Sequence, residues 1–362
     1  MCFLMKNTQI GRSPRSSGIN MSSGISPALP IKWLHAIAWS ALFSGVAVCA
    51  VSPDVASKQY ALSKLPIVDR IKVPAGPGWL EVGFGSVWVT KINSHLALRI
   101  DPITDRIVAK IPMGSDPELG IGMGMDFVWI ADTRDHTITQ VDPRTNRVVR
   151  TLPVNVAEDP EGSIGVGEGS IWVLTNEGGT DAGTLTRIDA VTGKAVANIS
   201  VKPKSHAAIV AFGSVWVTST QSGVVTRIDP QSNAVVAQVS VHASPRFLIA
   251  SKVAIWILCQ SDGTLIRVDP ISNQVTAAIA LAVPGDGGDL SVDDKYVWVS
   301  AEGVPLSQVN PDNNQLVRQF VGGRKDDTMR VGFGYAWVLD ELRGEIWKID
   351  LNRLEELSDG RQ

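Results

Sequence analysis

The chain has 362 residues, 44% of them hydrophobic and 19% charged, which is a globular composition with no disordered or fibrous bias. Its formal net charge of -3 supplies neither a basic footprint for nucleic acid nor a strong acidic field. With three cysteines in all, a disulfide framework is excluded as the organising device.

Residues 1–31 are rich in Ser, Gly and Pro, carry Lys6, Arg12 and Arg15, and read as a disordered lead. Trp33 to Ala50 is almost wholly apolar and leaves through Val48-Cys49-Ala50. A basic lead, an apolar core and a small-residue exit read as a secretory signal over 32–50, cleaved after Ala50. A retained single-pass anchor is the alternative, because about 18 apolar residues is the lower limit for crossing a bilayer. Both readings place the rest of the chain outside the cytoplasm, periplasmic or secreted, with no other membrane contact. Cys259 then remains as the cysteine beyond the leader, and beside Trp256 on a strand it reads as a buried small hydrophobe.

Residues 51–64 read as a linker. Ile67-Val68-Asp69-Arg70-Ile71-Lys72-Val73 alternates like a strand, and a repeat follows. Trp88, Trp129, Trp172, Trp216, Trp256, Trp298 and Trp337 each sit between β-favouring residues at spacings of 41, 43, 44, 40, 42 and 39. That is the length of a four-stranded propeller blade. Between the tryptophans recur segments such as Leu98-Arg99-Ile100-Asp101-Pro102 and Thr226-Arg227-Ile228-Asp229-Pro230, which alternate and then turn. In Pro143-Arg144-Thr145-Asn146 and Pro270-Ile271-Ser272-Asn273, Pro sets φ and Asn tolerates the left-handed position. The sequence therefore predicts an all-β protein over 65–355, a seven-bladed β-propeller of four-stranded antiparallel blades, followed by a tail at 356–362. Because the first alternating segment precedes any Trp strand and the last repeat stops after its third strand, the N-terminal strand is expected to complete the last blade. Such a closed ring is expected to be a monomer.

The repeat resembles the YVTN-type and streptogramin (virginiamycin B) lyase-like β-propellers over roughly residues 65–355. The resemblance implies the fold. It also implies a metal-assisted lyase as one activity, with a His base and Glu partners in the late blades; residues 243–362 contain no His, so none of those positions is carried over. Propellers equally serve as binding modules.

In a four-stranded meander the loops entering the first strand and those between the second and third lie on one face, and the short repetitive turns lie on the other. The first face carries the irregular loops, including the long Asn176 to Gly183 insertion, and it is the expected functional face. His95, His136, His206 and His242 all fall there. Counting back from each Trp, Glu118 and Glu161 take the same position in neighbouring blades, Arg246 follows Pro245 similarly, and His206 and Asp289 fall within two residues of that register. These residues are expected to form a polar ring at the channel mouth, with Trp79 a stacking surface or a cap over the channel. Glu118 and Glu161 are candidate ligands for a divalent cation such as Mg²⁺ or Ca²⁺, and His206 and Glu161 a candidate acid–base pair. The leading functional expectation is an exported binding or interaction module, taking a small molecule or protein at that mouth through Trp79, Glu118, His136, Glu161, His206, Arg246 and Asp289. The competing one is a metal-assisted lyase or hydrolase on the same face.

Overall fold

The computed structural model describes residues 52–73, 77–91, 94–114, 120–157, 164–177, 181–283, 287–323 and 328–357. The expected leader lies outside them, as do Glu118, Glu161 and the C-terminal five residues. No helix among the described residues is long and apolar enough to cross a membrane.

Seven antiparallel sheets form the ring. Blade 1 has the pattern of them all: Pro77–Gly83 innermost, then Ser86–Lys91 with the Trp, Leu96–Ile100, and Ile107–Pro112 outermost. The innermost strand points successive side chains to opposite faces, and Leu80, Ile121, Ile164, Leu248 and Leu290 are buried between blades. Glycines on the facing strand make room. A Cβ on Gly332 would fall 2.5 Å from Val82 Cγ1 of the next blade, which is why this packing tolerates no larger residue there. All seven tryptophans are buried. Each indole N–H finds an acceptor five residues upstream: a backbone carbonyl in five blades, as in Trp88 to Gly83 O at 3.1 Å, and a side-chain oxygen of Ser251 or Asp293 in the other two.

Strand β2 (Ile67–Lys72) pairs antiparallel with Glu345–Asp350 and completes blade 7, as the sequence predicts. The segment expected as a linker carries structure of its own. Helical turn α1 (Pro53–Ala56) buries Val55, and strand β1 (Gln59–Ala61) adds parallel to Gln315–Val321 as a fifth strand on blade 6. Tyr60 packs on Phe320 with ring centroids 5.7 Å apart. After Asp350, which caps it by accepting from Asn352 N and Arg353 N, helix α2 (Leu351–Glu356) covers the end of the blade 6–blade 7 interface with Leu354.

A ring of latches joins the blades on the short-turn face. The Arg directly opposite the blade's Trp stacks on that indole, as Arg99 does on Trp88 at 5.4 Å, and reaches into the next blade. There it donates to a turn carbonyl and to the Asn that follows. Arg187 donates to Asn233 Oδ1 at 2.9 Å, Arg227 to Asn273 Oδ1 at 3.0 Å and Arg267 to Asn314 Oδ1 at 3.0 Å. Lys348 closes the circle onto Asp105 at 2.7 Å. The Asn residues hold φ of 56–58°, the left-handed turn position that the Pro-x-x-Asn pattern predicts. Two interfaces differ. Blades 2 and 6 carry Gln140 and Gln308 in the latch position, and an Arg of the outermost strand, Arg150 or Arg318, crosses instead.

Replacing Asn233 separates the two parts of a latch. Asn233→Gly keeps the backbone conformation and loses only the acceptor, and is expected to cost about 1 kcal/mol. Asn233→Ala adds the left-handed penalty and is expected to cost about 1–2 kcal/mol more. Denaturant midpoints at constant slope measure both; equal stability of Asn233→Gly and the parent would mean that the latch contributes nothing.

Candidate functional site

The residue just before the buried innermost-strand position turns toward the axis. In blades 1, 5, 6 and 7 that residue is Trp79, Phe247, Asp289 and Thr328. Trp79 and Phe247 come from blades that are not neighbours, yet their rings stack with centroids 5.9 Å apart and planes 28° from parallel. At 2% and 3% exposure both rings are buried, and the stack joins blade 1 to blade 5.

Two polar clusters flank the stack. On one side, His206 is buried and meets Phe247 edge-on at 5.5 Å. Arg246 Nε donates to His206 Nε2 at 2.9 Å, so that nitrogen is an acceptor and the imidazole carries its proton on Nδ1. The Arg246 guanidinium also lies over the Phe247 ring at 5.5 Å and donates to Gln260 Oε1 at 3.4 Å. Gln260 in turn donates to Gly287 O. Thr218 Oγ1 fixes the Arg246 backbone by donating to its carbonyl at 2.8 Å.

On the other side, Arg330 of blade 7 bridges blades 6 and 1. Its Nε donates to Glu81 Oε2 at 2.8 Å and its Nη1 to Asp289 Oδ2, while the guanidinium lies 5.5 Å from the centre of the Trp79 ring. Asp289 Oδ1 accepts from Leu290 N at 2.7 Å. Burial pushes the Asp289 carboxyl up to about 7, against the opposing pull of Arg330. Burial alone would lower Arg330, but the Asp289 and Glu81 carboxylates outweigh it and hold its pKa above the ordinary value. The Thr328 hydroxyl beside them is buried and has no hydrogen-bond partner among the described residues.

The structure thus brings Trp79, His206, Arg246 and Asp289 into one network across the channel and adds Phe247, Glu81, Gln260 and Arg330, which the sequence reading missed. His136 does not join it and lines a groove between blades 2 and 3. The described residues do not fit a cation at this place: His206 Nε2 and Asp289 both face guanidinium groups. Among the described residues no three His, Cys, Asp or Glu side chains come together as metal ligands. Burial pushes the Cys259 thiol up to about 12, consistent with a packing role.

The fold defines the class of protein: a seven-bladed β-propeller. No protein-family model and no curated protein matches the chain. Solved structures resemble it in fold. A streptogramin B lyase structure aligns at a TM-score of 0.65 and 13% identity, covering 78% of this chain and 96% of that one. Kuenenia stuttgartiensis hydrazine synthase aligns at 0.61 and 12%, covering 77% and 97%. The β-propeller domain of Myceliophteria thermophila Cps50 (Swd1) aligns at 0.65 and 11%, covering 79% and 99%. These are three different kinds of protein at 11–13% identity, so the likeness carries the fold and no activity.

Proposed function

We propose that this chain is an exported interaction module that engages a small molecule or a protein over the channel mouth on the irregular-loop face. The observation that supports this reading is the packed floor. Trp79 stacks on Phe247, and the groups suited to acid–base work are spent on one another: His206 accepts from Arg246, and Asp289 is held by Arg330. A floor whose His206, Arg246, Asp289 and Arg330 side chains hold one another offers a ligand a rigid platform rather than a reactive cleft. Export rests on the basic lead and the apolar run from Trp33 to Ala50.

A photo-crosslinking residue tests the face directly. Placed at Lys204 or Ala243, both exposed beside the channel mouth, it is expected to give a discrete adduct in cells that export the protein. Placed at Ile271, 89% exposed on the short-turn face, it is expected to give none. Adducts from Ile271 alone would overturn the reading. The competing metal-assisted enzyme requires tight binding of Mg²⁺, Ca²⁺ or Mn²⁺ that Glu161→Ala abolishes; calorimetric titration is expected to show no such binding.

A further inference from the structure

The strand added to blade 6 separates the outer edges of the other blades into two groups. There β1 lies along Gln315–Val321, with Gln59 opposite Gln319 and Ala61 opposite Val321. Gln319 N donates to Lys58 O at 2.9 Å, and Gln59 Nε2 donates to Gln319 Oε1 at 2.8 Å. Pairing with the third strand of each blade aligns the outer strands with one another. At the position of Val321, blades 1 and 2 carry Pro112 and Pro153, and blade 7 carries Lys72, two residues after Arg70. Blades 3, 4 and 5 carry Ser200, Ser240 and Ala280. The residue after this position bonds inward, as Met113 N does to His95 O, Val241 N to Gly223 O and Gly322 N to Gly303 O. The amide of the position itself therefore faces outward. Proline there takes nothing from its own sheet and denies a bond to any added strand, while Arg70 and Lys72 blunt the edge of blade 7 with charge.

Blades 3, 4 and 5 have neither device. Their outer strands, Ala195–Ser200, Ala234–Ser240 and Gln274–Ala280, contain no Pro and no charged residue, and they follow one another around the ring. Blade 4 comes nearest to the occupied edge, because Gln238 stands where blade 6 has Gln319. Gln238 is exposed, whereas Gln319 is buried. The chain's own β1 is tied by residues 62–66 to β2 in blade 7, so the open edges are left to another chain. We propose that the Gln238–Ser240 edge of blade 4 is a docking surface for an extended, uncharged segment of a partner protein, which adds in parallel as β1 adds to blade 6. The chemistry it recognises is that of β1: an amide side chain to pair with Gln238, then an aromatic residue over Val239, where Tyr60 packs on Phe320 in blade 6. Main-chain bonds supply the affinity, and the amide pair fixes the register. This surface lies on the rim, apart from the channel mouth.

The test is calorimetric titration of the full chain with acetyl-Gly-Ser-Gln-Tyr-Ala-Leu-Ser-Gly-amide, which presents the β1 sequence without charge. Saturable binding is expected. Tyr60, two residues past Lys58, turns its N–H to the edge, so the peptide N-methylated at its Tyr is expected to bind at least ~10-fold more weakly. Ser240→Pro, which copies Pro112 and Pro153, is expected to weaken binding by at least ~10-fold with an unchanged melting curve. The N-methylated peptide makes the same test without altering the protein. The proposal is overturned if the peptide does not saturate, if its N-methylated form binds equally well, or if Ser240→Pro binds like the parent, as it would were β1 displaced from blade 6 instead. A dimer of the chain alone in sedimentation, abolished by Ser240→Pro, would assign the edge to a second copy and overturn the partner reading. None of these outcomes bears on the channel-mouth reading, which the crosslinking addresses.

Discussion

Deleting residues 65–73 is expected to lower the melting temperature by ~10 °C or more and to promote association. The segment supplies the fourth strand of blade 7 and buries Ile71 and Val73 against Leu339 and Ile346. Each buried aliphatic side chain is worth about 1.5–3 kcal/mol. Its removal also strips Arg70 from the face of Trp347, where it lies 5.0 Å from the ring centre, and Lys72 from Glu345 at 2.5 Å. The edge of Glu345–Asp350 is then left with unpaired N–H and C=O groups, which invite another chain. Scanning calorimetry and light scattering read the two effects; an unchanged melting curve with a monomeric mass would rule out closure by this strand.

Arg330→Ala is expected to be the most damaging single substitution in the channel. Removing one partner of a buried ion pair leaves the other charge uncompensated, at a cost of about 3–5 kcal/mol. Here two carboxylates are stranded, Asp289 at 3% exposure and Glu81 beside it, and Trp79 loses the cation above its ring. Arg330→Ala/Asp289→Asn is expected to recover part of the loss, because a neutral amide tolerates the site better than a stranded carboxylate. Chemical denaturation of the single and double variants measures this. A double variant less stable than Arg330→Ala would show that the charge of Asp289 is not what the substitution strands.

Much of the fold was legible because the residues that build it repeat. A Trp between two β-favouring residues every 39 to 44 positions fixes the count of blades, and a copy of the outermost strand ahead of the first Trp fixes the closure. The arm at 52–64 was not legible, since its order comes from tertiary packing of Tyr60 on Phe320 rather than from any period of its own. The latches have a signal of their own in the repeat, an Arg before Ile-Asp in one blade and an Asn in the following turn of the next, but only the ring brings the two together. The channel was half legible. Counting back from each Trp assumes a regular strand, but pairing shifts between Pro77 and Leu80, Ser205 and Ala208, and Pro245 and Phe247. One extra residue in a strand sends side chains to the opposite side, so the count stopped at Arg246 when Phe247 is the residue on the axis. Arg330 and Glu81 lie two residues beyond the axial positions and became functional candidates only when their blades were brought together. Glu118 and Glu161 lie outside the described residues.

The measurement that bears most directly on the closed ring is amide hydrogen exchange of Ile67–Lys72. If the chain's two ends share blade 7, these amides exchange as slowly as those of Glu345–Asp350 and open with them in one cooperative event. Fast exchange at 67–72 beside slow exchange at 345–350 would contradict the closure, and with it the channel that the ring encloses.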